Sequence, residues 1–350
     1  VAKLPSPPTL REFHVHLDLL IPALLSPLRQ QGADLLQGMD LPALSCLAAR
    51  GSLSAEPWED TEAWLAWRFG VSGSAPYCLE AEGWPPATGY WLHADPVHFD
   101  LQRHGLTLAD ATLFSVSREE ADILTADLSA HFSADGLVFS APAPERWYAT
   151  SRHPLPDVRP LAEARGGPVE ANPFRGDDGL WQRLWSELQM FLHQHPVNAR
   201  REARGEPAIN SLWLWGGGRA AEKLATPYTT VHAGHLQARG LQSLAGGQHA
   251  PLPPSALHLP AGDGMALVVL DALRLPAAYG DLTAWRESLQ KLERDWLIPL
   301  KQRLERGTLA SLGLFLPAPG GGHALQIRRR DLWRIWRRPA LTTLFEQACP

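Results

Sequence analysis

The period of the hydrophobic positions changes several times along the chain. His14-Val-His-Leu-Asp-Leu-Leu-Ile21 starts as an alternation and becomes a continuous apolar run, the pattern of a strand buried in a parallel sheet, and Pro22 ends it. Leu41–Gly51 predicts a short helix, with Pro42 in its first turn and Gly51 as its stop. Trp58–Phe69 predicts a second helix, and Tyr90–Asp95 and Leu106–Leu108 are strand candidates around a turn at Arg103-His-Gly105. Ser117-Arg-Glu-Glu120 is a capping box: the serine accepts from the third helical N–H and the glutamate reaches back. The helix it opens runs to about Phe132, and Gly136–Phe139 with Arg146–Tyr148 reads as a hairpin. Residues 151–179, rich in Pro, Gly and Arg, read as linker, and Leu180–His195 is an amphipathic helix stopped by Pro196.

After residue 205 a strand–helix alternation sets in. Strands are expected at Ser211–Trp215, Tyr228–His232, Met265–Leu270 and Ser311–Leu316, with helices after Gly216-Gly-Gly218, at 236–245 and at 282–305. Such alternation implies an α/β fold, a parallel sheet with helices on both faces. One such strand stands near the start and the rest after residue 205. The expected organisation is therefore a discontinuous core, 1–88 and 205–350, interrupted by an α+β insertion at 89–204.

Composition narrows the function classes. The 350 residues are 45% hydrophobic and 20% charged, enough for a sizeable core. A net charge of −5 argues against a general nucleic-acid binder. Three scattered cysteines, Cys46, Cys78 and Cys349, exclude a disulfide framework, and neither a signal peptide nor a run of about 20 apolar residues is visible. A cytoplasmic protein is the expectation. The 14 histidines and 37 acidic residues leave a metal site open on numbers alone.

Several segments resemble a known family. Pro42–Gly51 is similar to the "TPNLDRLAARG" helix of archaeal-type, cofactor-independent phosphoglycerate mutases, Ser117-Arg-Glu-Glu-Ala121 to their "SREEA", and Tyr279-Gly-Asp-Leu282 to their "HEGDL". Asn210–Gly218, following His195-Pro-Val-Asn198, is similar to "NAIWLWGQG". A nearer resemblance, through Ala94–Leu101 ("ADPVHFDL") and Asn210–Gly218 ("NSLWLWGGG"), is to the RpfE-like bacterial regulatory proteins. The resemblance implies an alkaline-phosphatase-like core with an insertion. It also implies two divalent metals and a Ser or Thr nucleophile at the C-terminal ends of core strands.

The residues at those strand ends depart from the family pattern. Ile21-Pro22-Ala23 stands in place of Asp-Gly, Glu59 in place of the nucleophilic serine with Thr61 the hydroxyl close by, and Ala278-Tyr279 in place of His-Glu. Asp271 remains, whereas Leu314–Pro319 offers neither Asp nor His. The expectation is a catalytically degenerate, regulatory protein without a cofactor, binding a small metabolite or a protein partner. Its cleft would be formed by His93, Asp95, Gly216, Gly217, Gly218, Arg219, Asp271 and Asp281. The rival is a mutase or phosphatase holding Mn, Mg or Zn on relocated ligands such as Asp18, Asp60, Asp271 and Asp281.

Three weaker signals complete the reading. A glycine loop after a strand and before a helix presents N–H groups to an anion, with Arg219 beside it. His14 with His16, and His232 with His235, are zinc-capable pairs lacking further ligands at recognisable spacing. The basic, aromatic stretch Arg328–Arg338 is expected to be a terminal helix packed by Leu332, Ile335 and Trp336, or else an interaction module.

Overall fold

The computed structural model describes residues 15–337 except 85–87, 103–104, 167–168, 171, 175, 178 and 261–263. His14, Cys349 and the end of the basic stretch lie outside the described residues.

Among the described residues, twelve strands form two sheets. The first contains β1 (Val15–Leu20), β2 (Ser52–Glu56), β8 (Thr230–His232), β9 (Gln248–Ala250), β10 (Gly264–Val269), β11 (Ser311–Leu316) and β12 (Gly322–Arg328) in the order β2-β12-β11-β1-β10-β8-β9. β1 lies between β10 and β11, parallel to both, and β8 and β9 continue the parallel run. β12 and β2 close the other edge antiparallel, two strands that the hydrophobic pattern did not reveal.

The apolar run of β1 is explained by helices on both faces. Leu17 and Leu19 pack with α2 (Pro42–Arg50), α11 (Leu282–Leu292) and α12 (Ile298–Arg306). Leu20 packs with α3 (Thr61–Phe69) and α9 (Leu236–Leu244) on the opposite side. A π-helical turn, Glu293–Leu297, joins α11 to α12, and its Glu293 carboxylate accepts from the N–H groups of Ala43 and Leu44 at the start of α2. That supplies the cap that the Leu41–Pro42 sequence lacks.

The second sheet is antiparallel: β3 (Tyr90–Gln102), β4 (Gly105–Asp110), β5 (Val138–Ala143), β6 (Arg146–Ser151) and β7 (Ser211–Gly218). β3 is long enough to pair with β4 at one end, β6 at the other, and β7 along its opposite edge. α5 (Arg118–His131) and α7 (Leu180–His193) cover this sheet, and the capping box is present, Glu120 N–H to Ser117 Oγ at 3.1 Å and Ser117 N–H to Glu120 Oε2 at 3.0 Å.

Three sequence expectations change here. Ser211–Trp215 was placed in the parallel alternation, on the core side of a boundary at 204/205. Its hydrogen bonds instead join it to β3 of the antiparallel sheet. No helix follows Gly218, so the strand–glycine–helix anion cradle is not formed. The stretch after Arg328 is a 3₁₀ turn, Arg329–Trp333, rather than an α-helix. Leu332 is buried there, while Trp333, Ile335 and Trp336 are about three-quarters exposed (75%, 72% and 74%), so the expected packing of that face is corrected.

Candidate functional site

The segments that follow the parallel strands β8 and β10 face β3, β6 and β7 across a gap. Between lies a chamber of about 620 Å³. Asp271 reaches it from the end of β10, His235 from the turn after β8, and Glu62 from the first turn of α3. The second sheet contributes His93, Asp95, Tyr148 and Trp215, and the 155–165 segment contributes Arg165. A smaller chamber of about 270 Å³ adjoins it, lined by Asp60, Ser74, Gly216 and Gly217, and Glu62 and Trp215 face both.

A buried ion cluster stands at the strand ends. Arg274, in the turn after β10, directs Nη2 at both oxygens of Glu62, at 3.1 and 3.2 Å. Glu163 and Asp271 approach the same guanidinium at 3.7 and 3.8 Å. Burial alone would raise the Glu62 pKa, but Arg274 and the 3.3 Å contact to His235 Nε2 outweigh it and hold the carboxyl well below the usual range. Asp60 caps α3 by accepting from Ala63 N–H at 2.7 Å, and burial beside Glu62 pushes its pKa up to about 7. Buried charges of this kind persist only when paired.

The opposite wall is aromatic. His93 stacks on Trp215 with ring centres 4.0 Å apart, and Trp215 Nε1–H donates to Asp95 Oδ2 at 2.7 Å. Burial pushes His93 down to about 3 and Asp95 up to about 7. His93 Nε2 lies 3.2 Å from Ser74 Oγ. Gly216 makes that contact possible: its φ of +61° lies in the left-handed region, and a Cβ there would collide with the Ser74 hydroxyl and the His93 ring.

The architecture and parts of the sequence have counterparts among known proteins. No known family profile matches the chain. The 2,3-bisphosphoglycerate-independent phosphoglycerate mutase of Methanosarcina mazei is 28% identical over 206 residues, 53% of this chain and 50% of that protein. Its counterpart from Methanosarcina barkeri is 30% identical over 169 residues, 46% of this chain and 40% of that protein. The chain is phosphoglycerate-mutase-like. It spans about half the length of the curated relatives it matches. Among solved structures, the PH0037 protein of Pyrococcus horikoshii shares the fold, with a TM-score of 0.55 and 13% identity over 95% of this chain and 92% of that one. The cofactor-independent phosphoglycerate mutase of Thermoplasma acidophilum aligns with a TM-score of 0.45 and 16% identity, covering 89% of both chains.

The mutase-like relation corrects one expectation. A protein without a cofactor was anticipated, but kinship to mutases, for which the resemblance implies divalent metals, points weakly toward a metal instead. The donors that could receive one are dispersed. Among the described residues no group of three or more His, Cys, Asp and Glu side chains could hold an ion. Glu62, the buried carboxylate at the strand ends, is already bound by Arg274 and His235. The side chains as they stand do not fit a two-metal cluster.

Of the residues expected to form the mutase-like cleft, His93, Asp95 and Asp271 line the larger chamber and Gly216 and Gly217 the smaller, which Asp60, expected only as a metal ligand of the rival enzyme, also lines. Gly218, Arg219 and Asp281 line neither. Gly218 pairs with Trp91, Arg219 is exposed, and Asp281 caps α11 by accepting from Ala284 N–H at 2.9 Å. Asp18 is bound to Tyr228 at 2.8 Å and Arg68 at 3.2 Å, away from both chambers. Glu59 is exposed, whereas Thr61 is buried. Tyr279, which replaces the family's Glu, bridges to Thr112 at 3.0 Å and Asp110 at 3.3 Å. Sequence reasoning missed Glu62, His235 as its partner, Arg274 and Glu163. The available signal was an arginine three residues after Asp271, in the first turn beyond an apolar strand.

Proposed function

We propose that this is a catalytically degenerate, RpfE-like regulatory protein that keeps the mutase-like cleft to bind a small metabolite. The observation that carries the reading is Arg274. A permanent organic cation sits among Glu62, Glu163 and Asp271 at the strand ends, where the resemblance implies catalytic metals. The reading includes a reducing, cytoplasmic compartment, in keeping with the free, buried thiols of Cys46 and Cys78.

The test is conversion of 3-phosphoglycerate to 2-phosphoglycerate with manganese supplied, alongside metal analysis of the purified protein. No turnover is expected. Turnover abolished by Asp271→Ala, with stoichiometric bound metal, would establish the rival, a metal-dependent mutase or phosphatase. A second reading, a protein-interaction module, is favoured by exposed Trp333, Ile335 and Trp336 among arginines. It predicts that deleting 328–350 loses a partner while the fold survives.

A further inference from the structure

We propose that a separate cavity, at the beginnings of the parallel strands, binds a small monocarboxylate with an aliphatic body through Arg303. The site lies apart from the mutase-like cleft and does not depend on the metabolite-binding reading.

The first residues of four parallel strands, Val15 of β1, Thr230 of β8, Gln248 of β9 and Gly264 of β10, line a cavity of about 300 Å³. Asp271, by contrast, follows the far end of β10 and faces the larger chamber. Alternate residues of a strand face the same way, so Leu17 joins Val15 in the cavity wall, Ala266 joins Gly264, and His232 joins Thr230. α12 packs on this face of the sheet through Leu300 and Leu304, which share a core with Leu17, and it brings Arg303 to the cavity. Leu309, just beyond α12, adds to the apolar wall.

Arg303 is the feature that asks for a ligand. It is half-buried, and among the described residues no carboxylate pairs with its guanidinium, whereas Arg274, Arg165 and Arg146 of the larger chamber each hold one. Burial, unopposed by any acid, pulls its pKa below the usual arginine range. The described lining residues include no Asp or Glu. Burial also holds His232 below the ordinary histidine pKa, so near neutral pH Arg303 is the one formal charge among them. A partly desolvated cation without a counter-charge favours an anionic occupant.

The head group follows from charge and shape. A planar guanidinium takes a carboxylate through two parallel N–H···O bonds, and the two unit charges cancel. A phosphate dianion would leave surplus negative charge beside the last turn of α12, where the carbonyl end of the helix repels it. Thr230 and Gln248 bring neutral hydroxyl and amide donors to the same cavity. The body follows from volume and lining. The space equals about ten water-sized groups at about 30 Å³ each, and its wall is aliphatic at Val15, Leu17, Ala266 and Leu309. Octanoate is an acid of that size and character.

Calorimetric titration of the full chain with octanoate near neutral pH tests the assignment. The comparators are acetate as the head alone, octanol as the body alone, and octyl phosphate as a head of higher charge. Octanoate is expected to bind as one molecule per chain, at least about tenfold tighter than each comparator. Arg303→Gln is expected to weaken it at least about tenfold, and the fold should survive because the charge removed has no partner. Ala266→Leu, which fills the cavity, is the independent second variant and is expected to abolish saturable octanoate binding. Arg306→Gln, at an exposed position on the same helix, is expected to change nothing. Absence of saturable octanoate binding at millimolar concentration overturns the proposal. So does any comparator that matches octanoate, or octanoate binding that persists unchanged in either folded cavity variant.

Discussion

Arg274 and Glu62 depend on each other more than on anything else in the cleft. Removing one partner of a buried pair leaves an uncompensated charge, so Arg274→Met is expected to destabilise the protein by about 3–5 kcal/mol in urea titrations. Adding Glu62→Gln to that variant is expected to recover part of the loss. Asp60 carries the opposite pH signature. Its carboxyl, raised from 3.8 to about 7 by burial, Glu62 and Glu163, holds a proton in the folded protein that the unfolded chain releases. Stability should therefore fall as pH rises from about 4 to 7, the range between the unfolded and folded values. Asp60→Asn keeps the cap to Ala63 and is expected to flatten that slope in chemical denaturation across this range. The sequence showed Asp60 and Asp271 as acids near strand ends. It could not show that an arginine supplies the positive charge among them, because Glu62, Glu163 and Arg274 are far apart along the chain and meet only in the fold.

Single elements were legible wherever local chemistry specifies them. The capping box at Ser117, the proline-started helix at Pro42 and the apolar run of β1 all formed close to their expected bounds. β7 was assigned to the wrong sheet for a physical reason: a short apolar run reads alike in a parallel core and beside a long antiparallel neighbour. β2 went unseen because Ser52–Glu56 is mostly polar and its pairing partner is remote. Close packing between elements was also invisible in the sequence. Gly240 of α9 sits against the Tyr77 carbonyl in α4 (Ala75–Ala81), with no room for a Cβ. Gly240→Ala is therefore expected to cost about 1–3 kcal/mol, read as a lower urea midpoint, although alanine is the better helix former.

At the scale of the whole molecule, the order of the family-like segments indicated a mutase-like chain, and the relation and the shared fold are now observed. How the two sheets are fastened together was not foreseen. Tyr279 beyond β10 reaches Thr112 just past β4 and Asp110 at its end, and Arg165 binds the same Asp110. Tyr279→Phe removes one hydroxyl from that junction. It is expected to speed amide hydrogen exchange in β4 and in the Arg274–Ala278 helix while leaving β1 and β11 protected.

The central position of β1 bears on how the protein is made. Its neighbours are β10 and β11, so the apolar run leaves the ribosome early and finds no partner until residues 264–316 have been synthesised. At ordinary elongation rates that delay is on the order of tens of seconds. The antiparallel sheet between residues 90 and 218 has all its strands in hand well before then. Biogenesis thus imposes an order, with the antiparallel sheet folding first and β1 placed late, and a nascent Leu17–Leu20 in need of chaperone cover in the interval.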